Sequence, residues 1–409
     1  MRILHLTTQL PSAFGIDGGA LRQFELCSRA AQMGHVVTVV VPVASWMHKA
    51  YRPAEQFASS GIRLVATRRR GRRELEALSA IARHPSTVLR FAVAPYYGLQ
   101  SEMYAMDMRE AIRAELARRP DVVTVEHDFA ACLGDEIGPE IPKVLMTHNV
   151  TSAYYRTRAE SATPARRTLL NIQSRRVASY VNPRLSGFTG IVTVSAEDAE
   201  LFRAMTDVPV LVVPNGTTLD MVRPQPPAGP PELLFTGTMN YAPNRDGILW
   251  FASEIWPHIL TQVPEARLLV VGRQPDARVR RLERNNEGIE VTGEVAEMGT
   301  YFERATAVIV PLRSGGGTRL KILDAFASAR PVVSTRIGAQ GIDVEDGEQL
   351  LLGDEPREFA QQVVRLLRDA DLRSRLSANS RRLIDERYNW RVIAEQYIDA
   401  LNAMIQGAL

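Results

Sequence analysis

The 409-residue sequence predicts an α/β protein of two doubly wound parallel-sheet domains. Three observations predict it. Short apolar segments recur, and each is followed by a stretch with helical spacing. These apolar segments are unbroken rather than alternating, which suits strands covered by helices on both faces. The pattern also restarts near residue 210, and the length fits two domains of about 150–200 residues better than one core.

The elements follow in order. Residues 2–8 read as a strand and 18–33 as an amphipathic helix behind a Gly-Gly turn. Residues 36–42 form a fully apolar strand. Further strands fall at 122–125, 143–147 and 190–194. Their ends carry Glu126-His127, His148-Asn149 and Ser195. In open α/β sheets, ligands bind outside the carboxyl ends of the strands. The second series holds strands at 211–213, 233–236, 267–271, 289–292, 307–311, 331–334 and 349–352. A Pro-rich stretch at 223–231 marks the edge of a linker. The domains are therefore expected at 1–210 and 211–389, with a last helix at 390–409 returning to the first.

Composition excludes several classes. Net charge is +3, with 23% charged and 45% hydrophobic residues, so disorder, collagen and coiled coil are ruled out. Two cysteines, Cys27 and Cys132, cannot build a disulfide framework. No apolar run approaches the ~18–20 residues of a membrane span. The chain enters a strand from its first residues without a leader pattern, so a cytoplasmic location is expected. Of 49 basic residues only Lys49, Lys143 and Lys321 are lysines, which makes Lys321 worth attention. The 46 acids balance the arginines and argue against nucleic acid as a partner.

Familiar motifs are missing. There is no P-loop, no H-E-x-x-H and no C-x-x-C, hence no local signal for a metal. Asp369-Ala370-Asp371 lies between two helical stretches and reads as a helix cap. The turn Gly15-Ile16-Asp17-Gly18-Gly19-Ala20 precedes a helix. Its glycines allow close approach of a phosphate to a helix N-terminus, or are simply a turn.

The segment 308–335 is the most informative. A strand runs into Ser314-Gly315-Gly316-Gly317, and a helix starts near Thr318. Arg319 and Lys321 are expected in its first turn, where cations oppose the helix dipole. An anion would offset them, and the glycines expose N–H groups in the same place. Asp324 follows on the same helix. A diphosphate on Arg319, Lys321 and Gly315–Gly317, with a hydroxyl-rich group on Asp324, satisfies all of these.

Together these blocks resemble retaining GT-B glycosyltransferases of family 4 (glycosyl transferases group 1). The resemblance rests on the Gly18-Gly19 loop, Thr147-His148-Asn149, Val194-Ser195-Ala196-Glu197, Pro214-Asn215-Gly216, Phe235-Thr236-Gly237, Val271-Gly272, the 308–335 block and Tyr388-Asn389-Trp390. It implies two Rossmann-like domains facing across a cleft. It also implies a nucleoside-diphosphate-sugar donor, uridine or guanosine, and no metal or other cofactor. The donor would touch Gly18, Gly19, Gly237, Glu294, Val295, Gly315, Gly316, Gly317, Thr318 and Asp324. His148, Arg319 and Lys321 would serve catalysis, with His148 near the anomeric carbon. His127 and Tyr154 are weaker candidates for the acceptor, a glycan or lipid-linked glycan of a cell-surface polysaccharide. A front-face retaining mechanism is implied in the same way.

Two departures stand out. The family carries two glutamates eight positions apart, and here those positions are Gly316 and Asp324. The family's Arg and Lys after the first glycine loop are also missing, with Thr238 and Asp246 in that neighbourhood. The cations are expected to have moved to Arg319 and Lys321. A nucleotide-sugar-binding protein without turnover and a sugar-nucleotide 2-epimerase remain alternatives. Basic stretches at 63–90 and 166–184 fit either a solvated face or peripheral contact with anionic membrane.

Overall fold

The computed structural model describes residues 1–13, 18–44, 47–48, 52–68, 96–160, 162–217, 229–315 and 319–407, with side chains from residue 101 onward in the helix Tyr96–Leu116. The chain divides into two compact units. One comprises Met1–Pro214 and Ile393–Leu409, the other Asn215–Val392.

Among its described residues the first unit holds seven parallel strands: β1 (Arg2–Leu6), β2 (Val36–Val43), β3 (Arg63–Arg68), β4 (Val122–Glu126), β5 (Lys143–Met146), β6 (Gly190–Thr193) and β7 (Val210–Val212). Their order is β3-β2-β1-β4-β5-β6-β7. β2, the sequence Val-Val-Thr-Val-Val-Val-Pro-Val, is buried along its length after Val36, as a helix-covered strand must be. β1 sits between β2 and β4, with Ile3 opposite both Val37 and Val122. Chain order reverses there, so the C-terminal ends of β1 and β4 frame a switch point.

β3 was not expected. Its sequence, Arg-Leu-Val-Ala-Thr-Arg, opens the basic stretch at 63–90 and is masked by its arginines, yet it pairs along six residues with β2. The rest of that stretch, 69–90, lies outside the described residues. The stretch at 166–184 falls within one helix, Pro164–Leu185.

The second unit repeats the plan, with six parallel strands among its described residues: β8 (Glu232–Thr236), β9 (Arg267–Val271), β10 (Ile289–Gly293), β11 (Ala307–Val310), β12 (Val332–Ser334) and β13 (Leu351–Leu352). The order β10-β9-β8-β11-β12-β13 puts its switch point between β8 and β11. Its core joins strand residues such as Phe235, Val270 and Ile309 to Trp256, Phe251 and Phe359 from the covering helices. Asp369 caps the helix Ala370–Leu383, its carboxylate accepting from the Leu372 N–H, which is the capping role read from the sequence. The helix Trp390–Gln406 begins in this unit and ends in the first, where Met404 packs on Gly190.

Cys27 and Cys132 are both buried and unbridged. Among the described residues no helix is long and apolar enough to cross a membrane.

Candidate functional site

The second unit's switch point gathers the cations. β8 ends at Thr236 and turns at Gly237, whose φ of 150° suits glycine alone. Gly272 ends β9 with φ 153°, and a Cβ there would stand 1.8 Å from the Gly237 carbonyl oxygen. Two glycines thus let the strand ends close on each other. The next helix, Ala242–Trp250, brings in Asn244 in its first turn. Asn244 Nδ2 donates to the Thr238 carbonyl at 3.0 Å, and its Oδ1 accepts from Lys321 Nζ at 2.9 Å.

Lys321 comes from the far side of the switch point. β11 leads through 311–315 to the helix Leu320–Ala327, with Arg319 as N-cap and Lys321 as the second helical residue. So Arg319 lies one position outside the helix rather than in its first turn. Lys321 Nζ lies 4.4 Å from the centre of the Phe235 ring, and a side chain at Gly237 would stand 3.0 Å from it. A side chain at Gly315 would meet the Arg319 guanidinium at 2.9 Å. Burial, reinforced by the like charge of Arg319, pushes the Lys321 ammonium down to about 7. Four residues singled out from the sequence, Gly237, Gly315, Arg319 and Lys321, therefore converge.

Asp324 sits three residues beyond Lys321 and accepts from Thr217 Oγ1 at 2.9 Å. Burial pushes its carboxyl up to about 6, against that hydrogen bond. Gly316, Gly317 and Thr318 lie outside the described residues. Glu294 and Val295 follow β10, the edge strand, two strands from β8. Glu294 is exposed, and Val295 packs against the core.

Three residues here escaped the sequence reading. Asn244 holds Lys321. Arg273 reaches back to Thr238 Oγ1 at 3.3 Å, so a cation does approach the Gly237 loop. Phe235 gives Lys321 an aromatic face. The Pro243-Asn244 start of a helix after Gly237 was the only signal available. Asp246 points elsewhere: it is exposed and pairs with Arg313 at 2.8 Å.

The first unit's switch point gathers imidazoles. Gly18 and Gly19 open the helix Gly18–Gln32. Behind them, Gln23 Oε1 is 3.4 Å from His5 Nε2, and His5 Nδ1 is 2.9 Å from Thr124 Oγ1. Glu126 lies beside both: its Oε2 is 3.7 Å from His5 Nε2, and its Oε1 is 2.6 Å from His148 Nε2. The latter contact is close by distance and charge rather than a well-aligned hydrogen bond.

Adjacent positions on a strand point to opposite faces, so Glu126 and His127 were expected to diverge. They do not. The strand stops at Glu126, and His127 has φ 72°, a left-handed backbone that turns its ring back. His127 stacks on Phe129, its ring centre is 4.8 Å from that of His148, and its Nε2 is 3.3 Å from Gln9 Oε1. Burial, with His148 adding to it, pushes the His127 ring down to about 3. Asp128 then accepts from the Thr151 N–H at 2.8 Å, fixing the helix Thr151–Glu160 that follows His148. Burial pushes Asp128 up to about 6 despite these bonds. Tyr154 on that helix accepts from Arg158 at 3.2 Å, while Tyr155 packs into the core. Arg22, buried, donates to the Val213 and Pro214 carbonyls at 2.7 and 2.6 Å.

Two doubly wound units, the second with Arg319 and Lys321 at its switch point, have the GT-B fold. Residues 230–369, within the second unit, match the family described as glycosyl transferases group 1. Sucrose-phosphate synthase from Thermosynechococcus elongatus has the same fold, with TM-score 0.70 and 16% identity over 100% of both chains. Anabaena HepE, solved with UDP and glucose, superposes with TM-score 0.66 at 13% identity, over 98% of this chain and 100% of that one. Among curated sequences, an uncharacterized 44.6 kDa protein in a cps region of Klebsiella pneumoniae is 24% identical over 164 residues, 38% of this chain and 42% of that protein. The D-inositol 3-phosphate glycosyltransferase of Frankia alni is 29% identical over 225 residues, 48% of this chain and 54% of that enzyme. The chain thus spans about half the length of the curated relatives it matches.

Proposed function

We propose that this chain is a glycosyltransferase that moves a hexose, with retention, from a nucleoside-diphosphate sugar to a hydroxyl of a glycan or lipid-linked glycan. One observation carries the reading: Lys321 and Arg319 meet Gly237 and Gly315 at the second unit's switch point. Two cations beside glycine backbone suit a diphosphate, and their charge would stabilise the leaving group. Asp324, held by Thr217, would take ribose hydroxyls. UDP is the favoured base carrier, supported by the UDP complex of HepE. No metal or other cofactor is invoked, because these side chains supply the positive charge.

In the first unit, His148 would face the reacting sugar, with His127 and Tyr154 toward the acceptor. The cps-region relative supports a cell-surface polysaccharide as acceptor. The helix Pro164–Leu185 exposes Leu169 and Ile172 beside Arg166 and Arg175, which supports peripheral contact with the inner, anionic face of a cell membrane from the cytoplasm. Nucleic acid is not a partner on this reading.

The test is thermal shift and donor breakdown across nucleoside diphosphates and their sugars, with and without EDTA. Stabilisation by one diphosphate, with EDTA-insensitive sugar release from its conjugate, is the expected result. Stabilisation without any release would favour a binding protein. A changed sugar without acceptor would favour the epimerase. No stabilisation by any member would refute the reading of the pocket.

A further inference from the structure

The second unit holds a cavity at the other edge of its sheet. Its volume is about 800 Å³, and Pro231, Thr306 and Pro331 line it. These residues directly precede β8, β11 and β12, so the cavity lies at the amino ends of the strands. Gly237 follows β8 at its carboxyl end, and about 17 Å of strand separates the two places at roughly 3.3 Å per residue. A molecule in this cavity therefore does not sit on Gly237 and Lys321.

Four arginines line the cavity: Arg330, Arg368, Arg373 and Arg381. Arg330 comes from the turn before β12 and is buried, 4% exposed. Arg368 ends the helix Pro356–Arg368, while Arg373 and Arg381 belong to the helix Ala370–Leu383. Main-chain carbonyls hold all four. Arg330 donates to Glu303 at 3.2 Å, Arg368 to Gln262 at 2.7 Å and Arg381 to Ala327 at 2.7 Å. Arg373 donates to Leu366 and Leu367 at 2.6 and 3.0 Å. A carbonyl orients a guanidinium, leaves most of its five N–H donors unused and does not neutralise its charge.

Carboxylates are few here. Asp385 lies 3.4 Å from Arg381 Nε, and the charge of Glu303 acts on Arg330. Among the described residues Arg368 and Arg373 form no ion pair. Glu265 is the one acid among the described lining residues, and it is exposed. Between Arg373 and Arg381 the helix presents Ser374, Ser377 and Ala378, whose short side chains leave the space open. Val263 and Leu367 supply an apolar wall. The volume is that of a small-molecule site, typically about 300–1,000 Å³. Guanidinium forks match phosphate oxygens in pairs.

We propose that this cavity is a second ligand site of the chain, for a small organic phosphate whose charged groups pair with Arg368, Arg373 and Arg381 and whose carbon frame lies on Val263 and Leu367. The proposal does not depend on what the carboxyl edge of the sheet binds.

The experiment is calorimetric titration of the full chain with fructose 1,6-bisphosphate, inorganic phosphate and fructose. The bisphosphate should bind more tightly than inorganic phosphate, fructose should not bind, and added salt should weaken the bisphosphate. Binding should persist in Lys321→Met, which removes a cation from the opposite edge. Arg373→Gln combined with Arg381→Gln should weaken the bisphosphate about tenfold or more. Those arginines also brace helix ends, so Ser377→Glu gives a second test that keeps them. Its carboxylate would enter among the guanidiniums, raise the Tm of the empty protein and abolish bisphosphate binding. The proposal is overturned by no binding of the bisphosphate, by equal binding of fructose, or by loss of binding in Lys321→Met. Parent-like affinity in the double arginine variant or in Ser377→Glu overturns it as well.

Discussion

Lys321 should cost the empty protein stability that a diphosphate returns. The ordinary lysine holds its proton to about pH 10.4. In the folded chain burial, with Arg319 beside it, lowers that to about 7. At ~1.36 kcal/mol per unit the difference is roughly 4 kcal/mol, a ceiling for the penalty at pH 7. The side chain is partly open to water, and removing it forfeits the bond to Asn244, worth about 1 kcal/mol. Lys321→Met should therefore stabilise the unliganded protein by about 1–2 kcal/mol at pH 7, or roughly 2–8 °C in Tm. The sign follows from linkage. Below pH 7 both folded and unfolded forms hold the proton and the penalty is complete. Between about pH 7 and 10 only the unfolded chain holds it, so stability rises with pH. A diphosphate binds the protonated form, so its Kd should weaken toward tenfold per pH unit above 7. Calorimetry with UDP at several pH values reads the slope, and Lys321→Met should flatten it while weakening binding. A destabilised Lys321→Met that still binds UDP with the original pH slope would refute the reasoning.

Other expectations are more local. Asp324→Asn should weaken a nucleoside diphosphate about ten- to hundredfold and leave inorganic diphosphate unchanged, because the ribose contact alone is lost; competition binding separates the two. Gly272→Ala forces a Cβ to 1.8 Å from the Gly237 oxygen at φ 153°. It should cost about 3 kcal/mol or more in denaturant unfolding and abolish nucleotide stabilisation. Asp369→Ala removes only the cap on Leu372 and should cost ~1 kcal/mol with nucleotide affinity intact.

Most strands of both sheets were legible as apolar runs, but the sequence puts the strand at 211–213 in the second series, whereas it pairs, as β7, with β6 of the first sheet. β3 was not legible, because its ends are arginines and only three apolar residues lie between. In the site, Gly237, Gly315, Arg319 and Lys321 were legible from glycine turns and from a scarce lysine at a helix start. Asn244 was not: an asparagine in a first helical turn reads as a capping residue, and only the third dimension shows its amide facing a lysine 77 positions away. The Glu126–His148 contact was hidden differently. Strand alternation assigns Glu126 and His127 to opposite faces, and the left-handed backbone at His127 that defeats this rule has no glycine to announce it.

The wiring of charge in the second unit argues for an anion independently of any resemblance. A carboxylate three positions along a helix is within reach of a lysine, and pairing Lys321 with Asp324 would have been the simple way to lower the cost of a buried ammonium. The fold does otherwise. Asp324 turns to Thr217, Asp246 is taken by Arg313 at the surface, and Lys321 is left with an amide oxygen and a phenyl face. The charge that acts on it is that of Arg319, which is repulsive. An ammonium whose proton affinity is lowered by burial and by a neighbouring guanidinium is a place where a negative ligand would be stabilising. On the proposed reading of this site, affinity should depend on the ligand's charge first and on its shape second.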